Sequence, residues 1–395
     1  VDIGQFIGIL ETKISRNLEE ADYAIARYYM EILSKCYQKM GYNDKYIGTI
    51  ERIAMAYEEE VECLSKDGDK DNVIIIRLLE DAIKTYRKIP RKKQKNDEVL
   101  LKLEVFKKKM SESLKEFSHS MDITNIVTEI EKSFRGKDRI VCIVKLAFIQ
   151  SINTKSSLEE RVNKLHITSP LSFLASRDIV DSDGKRITSM PDLNSENEEE
   201  RINALEAYMF MEAANNHSIQ SGILINHALR IISEEHEIKL KDLDFLVENN
   251  MFVPTNREKI FAEGLYEGFK GNFMKSIHLL IPQLENSFRE FARMCGDIVT
   301  TFENDGKEQA KSLNNIFELP NFIEVFDEDL LFDLRSLLTE KYGSNMRNKF
   351  AHGLLSYDEA SSPISIYVWW ISLRLCCMYS NNLNEYFHEN KEMFY

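Results

Sequence analysis

Proline and glycine are scarce, with 7 and 15 in 395 residues. That shortage excludes a chain dense in turns and leaves long helices with few breaks. Cysteine is equally sparse. The six, at positions 36, 63, 142, 295, 376 and 377, form no C-x-x-C pair and have no histidines at zinc spacing. A zinc module is thereby excluded, and a reduced, cytoplasmic setting fits, with most thiols acting as small core groups. No apolar run is long enough to span a bilayer. The longest, 364–379, contains Arg374 and reads as a buried core helix of a soluble protein. The first helical stretch, 3–18, is interrupted by Glu11, Lys13 and Arg16, which does not fit a signal peptide. Val1 rather than methionine opens the chain, which is compatible with a longer parent protein. Positive charge is also short: 51 Lys and Arg stand against 65 Asp and Glu, for a net charge of −14. This argues against broad, non-specific coating of nucleic acid and leaves room for a local positive site. Finally, there is no nucleophile elbow, P-loop, dinucleotide-binding glycine pattern, H-E-x-x-H or RNA-recognition-motif wording.

What is present is helical periodicity. Tyr23, Ile25, Tyr28, Tyr29, Ile32 and Leu33 recur near helical spacing, as do Ile50, Ile53, Ala54, Tyr57 and Val61. Breaks fall at 41–44, 67–69, Pro90 and Gly136, so residues 1–165 read as an N-terminal domain of unequal helical hairpins without a solenoid period. The basic run 87–95 is the densest positive patch and reads first as a solvated loop and helix start, second as a contact for RNA or a partner. Residues 166–200 form a connector. There, 178–180 and 185–188 predict a small hairpin around Asp181-Ser182-Asp183-Gly184, expected to be the only sheet. From 201 to 395 helices resume: 202–215, 217–236, one opened by Thr255 and Glu258 at capping-box spacing, 273–295 with a kink expected at Pro282, and 365–387. The fold class is therefore all-α.

The most informative stretch is Arg347-Asn348-Lys349-Phe350-Ala351-His352-Gly353. It carries a permanent cation, an amide and an imidazole on a short helix, with a turn at 342–346 ahead of it and Gly353 suited to a left-handed C-terminal cap. Asn348 and His352 are four apart and share a face, with Arg347 on the flank.

The pattern R-N-x-x-x-H-G resembles the arginine-to-histidine signature of the HEPN superfamily, in a branch catalogued as a domain of unknown function. The wording upstream is similar in the same order: Phe252-Val253-Pro254 leading into Arg257-Glu258, then 264–269, then 278–285. The likeness covers about 167–355. It implies an all-helical bundle, a homodimer formed through the C-terminal domain, and in many members a metal-independent ribonuclease of stress, toxin or anti-phage defence type. Carried over, the catalytic roles fall on Arg347, Asn348 and His352, with RNA as substrate and no cofactor or metal. The N-terminal helices then become a substrate, partner or regulatory module.

A second polar set lies on 273–295. His278, Glu285 and Arg289 align within roughly 20° at 100° per residue, opposite the apolar side of Ile277, Leu280, Ile281, Leu284, Phe288 and Phe291. This set can support the catalytic groups from a neighbouring helix, or it can be a solvated face with one i,i+4 ion pair. The spacing of Glu285 and Arg289 is similar to a secondary HEPN motif. His119, His166, His217, His227, His236 and His388 have no partners at metal or triad spacing and read as surface or satisfied core residues. Two functional readings result. The first is cleavage of RNA by transfer of its own 2′-hydroxyl, using histidine for proton transfer and arginine for the phosphate. The alternative is a non-catalytic HEPN domain that binds RNA, a nucleotide or a protein partner.

Overall fold

Apolar residues at helical spacing do build helices along most of the chain, and the fold is all-α with, among the described residues, two very short two-stranded sheets. The structure, a computed structural model, describes residues 3–66, 72–90, 92–113, 122–168, 178–180, 185–302 and 306–389. Contacts divide the chain into Val1–Ser118 with Val180–Arg186, and His119–Ile179 with Ile187–Tyr395. Among the described residues no helix is long and apolar enough to cross a membrane.

In the first unit the helices Ile3–Glu19, Tyr23–Lys39, Asn43–Lys66, Asn72–Tyr86 and Lys93–Ser113 pack each on the next. Leu10, Ile14, Met30, Leu33, Ile53, Leu79 and Tyr86 form its core. Gly41 turns at φ +74° where a break is predicted, whereas the break at 67–69 lies outside the described residues. One break carries no glycine: Ala21 turns at φ +58°, and Asp22 caps the next helix by accepting from the Ile25 amide at 3.4 Å. Of the basic run, Lys92 pairs with Glu51, and Lys95 lies 3.2 Å from Glu58, which also accepts from the buried Tyr86 hydroxyl at 2.7 Å.

The second unit is built around the helix Pro363–Met378, whose Tyr367, Trp369 and Trp370 are fully buried. The apolar run therefore is a core helix, but it stops earlier than the sequence predicts. Ser380 bridges Asn250, and its hydroxyl donates to the Phe245 carbonyl at 2.8 Å, so the backbone turns and a separate helix follows over Asn381–Glu389. Against this core lies the antiparallel pair Glu258–Phe269 and Phe273–Met294. A methyl group on Gly264 would meet Leu280 at 2.7 Å, and one on Gly268 would meet the Trp369 indole at 2.1 Å. The two glycines, one helical turn apart, let the helix lie this close. Phe273–Met294 continues through Pro282, whose missing N–H leaves the His278 carbonyl without its helical partner.

Three further expectations need correction. The helix 258–269 is not opened by Thr255: Arg257 is its N-cap, and Asn256 turns at φ +66° to enter it. The helices expected at 202–215 and 217–236 are one path, Glu198–Gln220 joined to Asn226–Glu235 through the π-turn Ser221–Ile225, which absorbs the register change without a break. The hairpin Asp178–Val180 with Arg186–Ser189 is present, its turn at 181–184 lying outside the described residues, yet it is not the only sheet. A second pair, Thr300–Phe302 with Glu308–Ala310, runs antiparallel with Thr301 opposite Gln309. Its strands of three residues are too short for period-two alternation to be read from sequence.

Candidate functional site

The site begins with how the helix Met346–Ala351 is entered and left. Asn345 takes the left-handed conformation at φ +53° to enter it, and Gly353 does so at φ +68° to leave it. Leu354 N then bonds back to Lys349 O at 2.9 Å and Gly353 N to Phe350 O at 3.1 Å, closing the last turn. The lead-in is set by the preceding helix Glu328–Leu338: the Ser344 amide donates to Ser336 O at 2.8 Å. Gly343 passes so close that a Cβ would stand 2.1 Å from that same carbonyl oxygen.

On this frame Arg347 meets the long helix. Its Nε donates to Glu285 Oε2 at 2.7 Å and its Nη2 to Glu285 Oε1 at 3.0 Å, a fork on a carboxylate. Arg289 Nη2 donates to the same Oε1 at 2.9 Å, so one carboxylate joins two guanidinium groups. Side-chain exposure is 19% for Arg347, 16% for Glu285 and 17% for Arg289, low enough that solvent screens this triad only in part. Arg347 Nη1 donates to Asn348 Oδ1 at 3.0 Å. Each terminal nitrogen of Arg347 thus keeps a second N–H outside these bonds. Asn348 in turn donates from Nδ2 to Asn345 Oδ1 at 2.7 Å and to Thr339 O at 3.2 Å.

His352 is placed differently. It caps the helix with its backbone N–H, bonded to Asn348 O at 3.1 Å, while its side chain is exposed and has no hydrogen bond or ion pair among the described residues. His278 does not join the ladder with Glu285. Its Nδ1 bonds the Met274 carbonyl at 2.6 Å, and its ring sits edge-to-face on Phe350 at 5.2 Å. Two turns of helix separate it from Glu285, too far for a side-chain bond between them. The structure therefore brings Arg347, Asn348, Glu285 and Arg289 into one network, leaves the His352 side chain without a bond among the described residues, and sets His278 against Phe350.

A buried polar cluster behind the site is absent from the motif reading. Asp333 is fully buried and receives bonds from His217 Nε2 and Asn153 Nδ2 at 2.8 Å each, and from Tyr367 Oη at 2.9 Å. Burial first, then the neighbouring Asp333, push the Tyr367 hydroxyl well above the usual tyrosine range. His217 stacks on Tyr367 with ring centres 4.0 Å apart; it is a core histidine paired through Nε2, while its buried Nδ1 has no hydrogen-bond partner among the described residues. The cluster matters for the site because Asp333 sits about one turn before Ser336 and about two before Thr339, whose carbonyls hold Ser344 and Asn348. Its sequence signal is a single acid in an otherwise apolar face, Leu330, Leu334 and Leu337 flanking Asp333. No protein-family model, curated protein or solved structure matches the chain, so the HEPN likeness rests on the residues of the sequence.

Proposed function

We propose that this protein is an endoribonuclease that cleaves RNA by transfer of the substrate's own 2′-hydroxyl, with Arg347 and His352 as the reacting pair and a second copy of the chain completing the site. One observation carries the reading: the Glu285 carboxylate fixes Arg347 in orientation while the His352 imidazole, five residues on, stands exposed and unengaged among the described residues. A guanidinium held this way donates its remaining N–H bonds to a phosphate without a further loss of side-chain freedom. In the step itself, the 2′-oxygen gives its proton to a neutral imidazole and bonds to phosphorus. The bond from phosphorus to the 5′-oxygen breaks, and that oxygen takes a proton from an imidazolium. The products are a 2′,3′-cyclic phosphate and a 5′-hydroxyl. One copy supplies one imidazole and the step uses two protonation states, which is why a homodimer through the C-terminal unit belongs to the proposal. A stress or defence role in the cytoplasm follows the same resemblance, with the first unit as the substrate, partner or regulatory module.

A second reading is favoured by a specific observation. Arg347 and Asn348 bond to each other, to Glu285 and to the Thr339 carbonyl, as residues kept for structure in a non-catalytic module that binds RNA, a nucleotide or a protein would. The two readings separate in one assay. Incubated with single-stranded RNA in excess EDTA, the protein is expected to yield 2′,3′-cyclic phosphate or 3′-phosphate ends. A strict requirement for magnesium, or 5′-phosphate ends, contradicts the proposed chemistry. Binding of the same RNA without cleavage supports the second reading.

A further inference from the structure

The close packing that Gly264 permits leaves a groove of about 380 Å³ on the outer side of the two helices, lined by Glu263, Glu267, Met274, Lys275, His278 and Leu279. It reaches the segment of the proposed site through one residue. His278, on its wall, packs its ring on Phe350, two residues before His352. Along the same helix Glu285, the carboxylate that holds Arg347, is seven residues further on, about 10 Å at the α-helical rise.

The polar lining is mostly of one kind. Glu263 is exposed and has no partner among the described residues, so both its oxygens accept. Glu267 accepts from Asn272 Nδ2 through Oε2 at 2.8 Å, and its Oε1 lies 4.0 Å from the Lys270 ammonium, a distance beyond a hydrogen bond that leaves lone pairs facing the groove. His278 Nδ1 faces a carbonyl, which only accepts; Nδ1 therefore carries the proton, and Nε2 of the neutral ring is an acceptor. Among the described lining residues Lys275 is the one charged donor, 3.8 Å from Glu267. Met274 and Leu279 supply the apolar surface. A ligand matched to this lining has a flat apolar face and adjacent N–H donors on one edge. Among the nucleobases guanine presents that edge, with N1–H beside the 2-amino group, and a carboxylate accepts both in parallel. Adenine and cytosine offer an amino group beside an acceptor nitrogen, and uracil a single N–H between two carbonyls. An arginine side chain of a protein partner has similar donors, but proximity to the Arg347 and His352 segment favours a base of the RNA itself.

We infer that the groove formed by Glu263, Glu267, Met274 and His278 is a guanine-binding subsite that sets which RNA linkage reaches Arg347 and His352. The inference rests on the proposed RNA cleavage, and its test is chosen to be independent of it. The four nucleoside 3′-monophosphates and arginine amide are titrated into the full chain carrying ¹³C-methyl methionine, with the Met274 methyl signal as reporter. The expected result is that the guanosine compound shifts this signal at a concentration roughly tenfold or more below the other three. Glu263→Gln, at an exposed position that leaves the fold intact, is expected to abolish that preference, and His278→Ala to weaken guanosine binding. Equal response to all four nucleotides, or a stronger response to arginine amide, overturns the subsite and in the second case points to a basic partner. RNA cleavage without guanine preference would likewise remove the subsite and leave the nuclease reading standing. Guanosine binding without any cleavage would leave the subsite and remove the nuclease.

Discussion

Gly343→Ala is expected to destabilise the second unit by about 3 kcal/mol and to take RNA cleavage down with it. The added methyl would stand 2.1 Å from the Ser336 carbonyl oxygen and 2.8 Å from the Ser336 carbonyl carbon. Both atoms belong to the backbone of a helix fixed in the core, so neither can rotate away as a side-chain tip would. Overpacking at such a place costs about 1–3 kcal/mol, and the upper end applies where the neighbour is rigid. Relief would come from moving the lead-in chain, which breaks the Ser344 to Ser336 bond and shifts the register of Met346–Ala351. Thermal unfolding and cleavage measured on the same sample check this. A variant that melts like the wild type would show that the close approach is not a feature of the folded protein.

The site variants are expected to separate chemistry from folding. His352→Ala removes an exposed side chain without a partner among the described residues, so the melting temperature should stay within a degree or two while cleavage is lost. Arg347→Lys keeps the charge but cannot fork on Glu285, and should also lose cleavage. Glu285→Gln preserves volume and removes the charge that orients two guanidinium groups. Its stability cost is expected at about 1.5–3 kcal/mol, the range for a hydrogen bond to a charged group. Turnover should fall about 10- to 100-fold, by analogy with residues that orient metal ligands. The control is Glu290→Gln, whose carboxylate pairs with Arg293 on an exposed part of the same helix. An isolated exposed pair contributes about 0.3–0.5 kcal/mol, so this variant should behave as the wild type. Equal rates for Glu285→Gln and Glu290→Gln would remove Glu285 and Arg289 from the site.

Whereas the cap expected at Thr255 is not the one formed, helical periodicity and the C-terminal turn at Gly353 were readable because they depend on neighbours in sequence. The Met346–Ala351 helix, with Gly353 turning left-handed after it, is of this kind. So is the polar stripe on Phe273–Met294, although the stripe does not tell which chain segment it meets. Glu285 meets Arg347, 62 residues away in sequence, while Arg289 joins through the same carboxylate and His278, two turns earlier, meets Phe350 instead. The features that were not readable have distant or subtle causes. The stop at Tyr379 depends on Ser380 bridging Asn250, more than a hundred residues earlier, inside a run whose composition alone predicts an unbroken helix. The π-turn at Ser221–Ile225 has no composition signal. Asp333 draws its partners from Asn153, His217 and Tyr367, which no spacing rule connects. The glycine pair Gly264 and Gly268 lies between, visible as a repeat at helical spacing but explained only by Leu280 and Trp369 packed against it.

The central claim is that the RNA's own 2′-hydroxyl is the nucleophile and that His352 moves its proton. A short RNA with one cleaved linkage, prepared with either a 2′-hydroxyl or a 2′-deoxy sugar at that nucleotide, tests this most directly when incubated in EDTA with wild-type protein and His352→Ala. The account predicts cleavage of the all-ribose strand by the wild type alone, with a 2′,3′-cyclic phosphate end, and an intact linkage in the other three combinations. Cleavage at the 2′-deoxy linkage, or undiminished cleavage by His352→Ala, would contradict it.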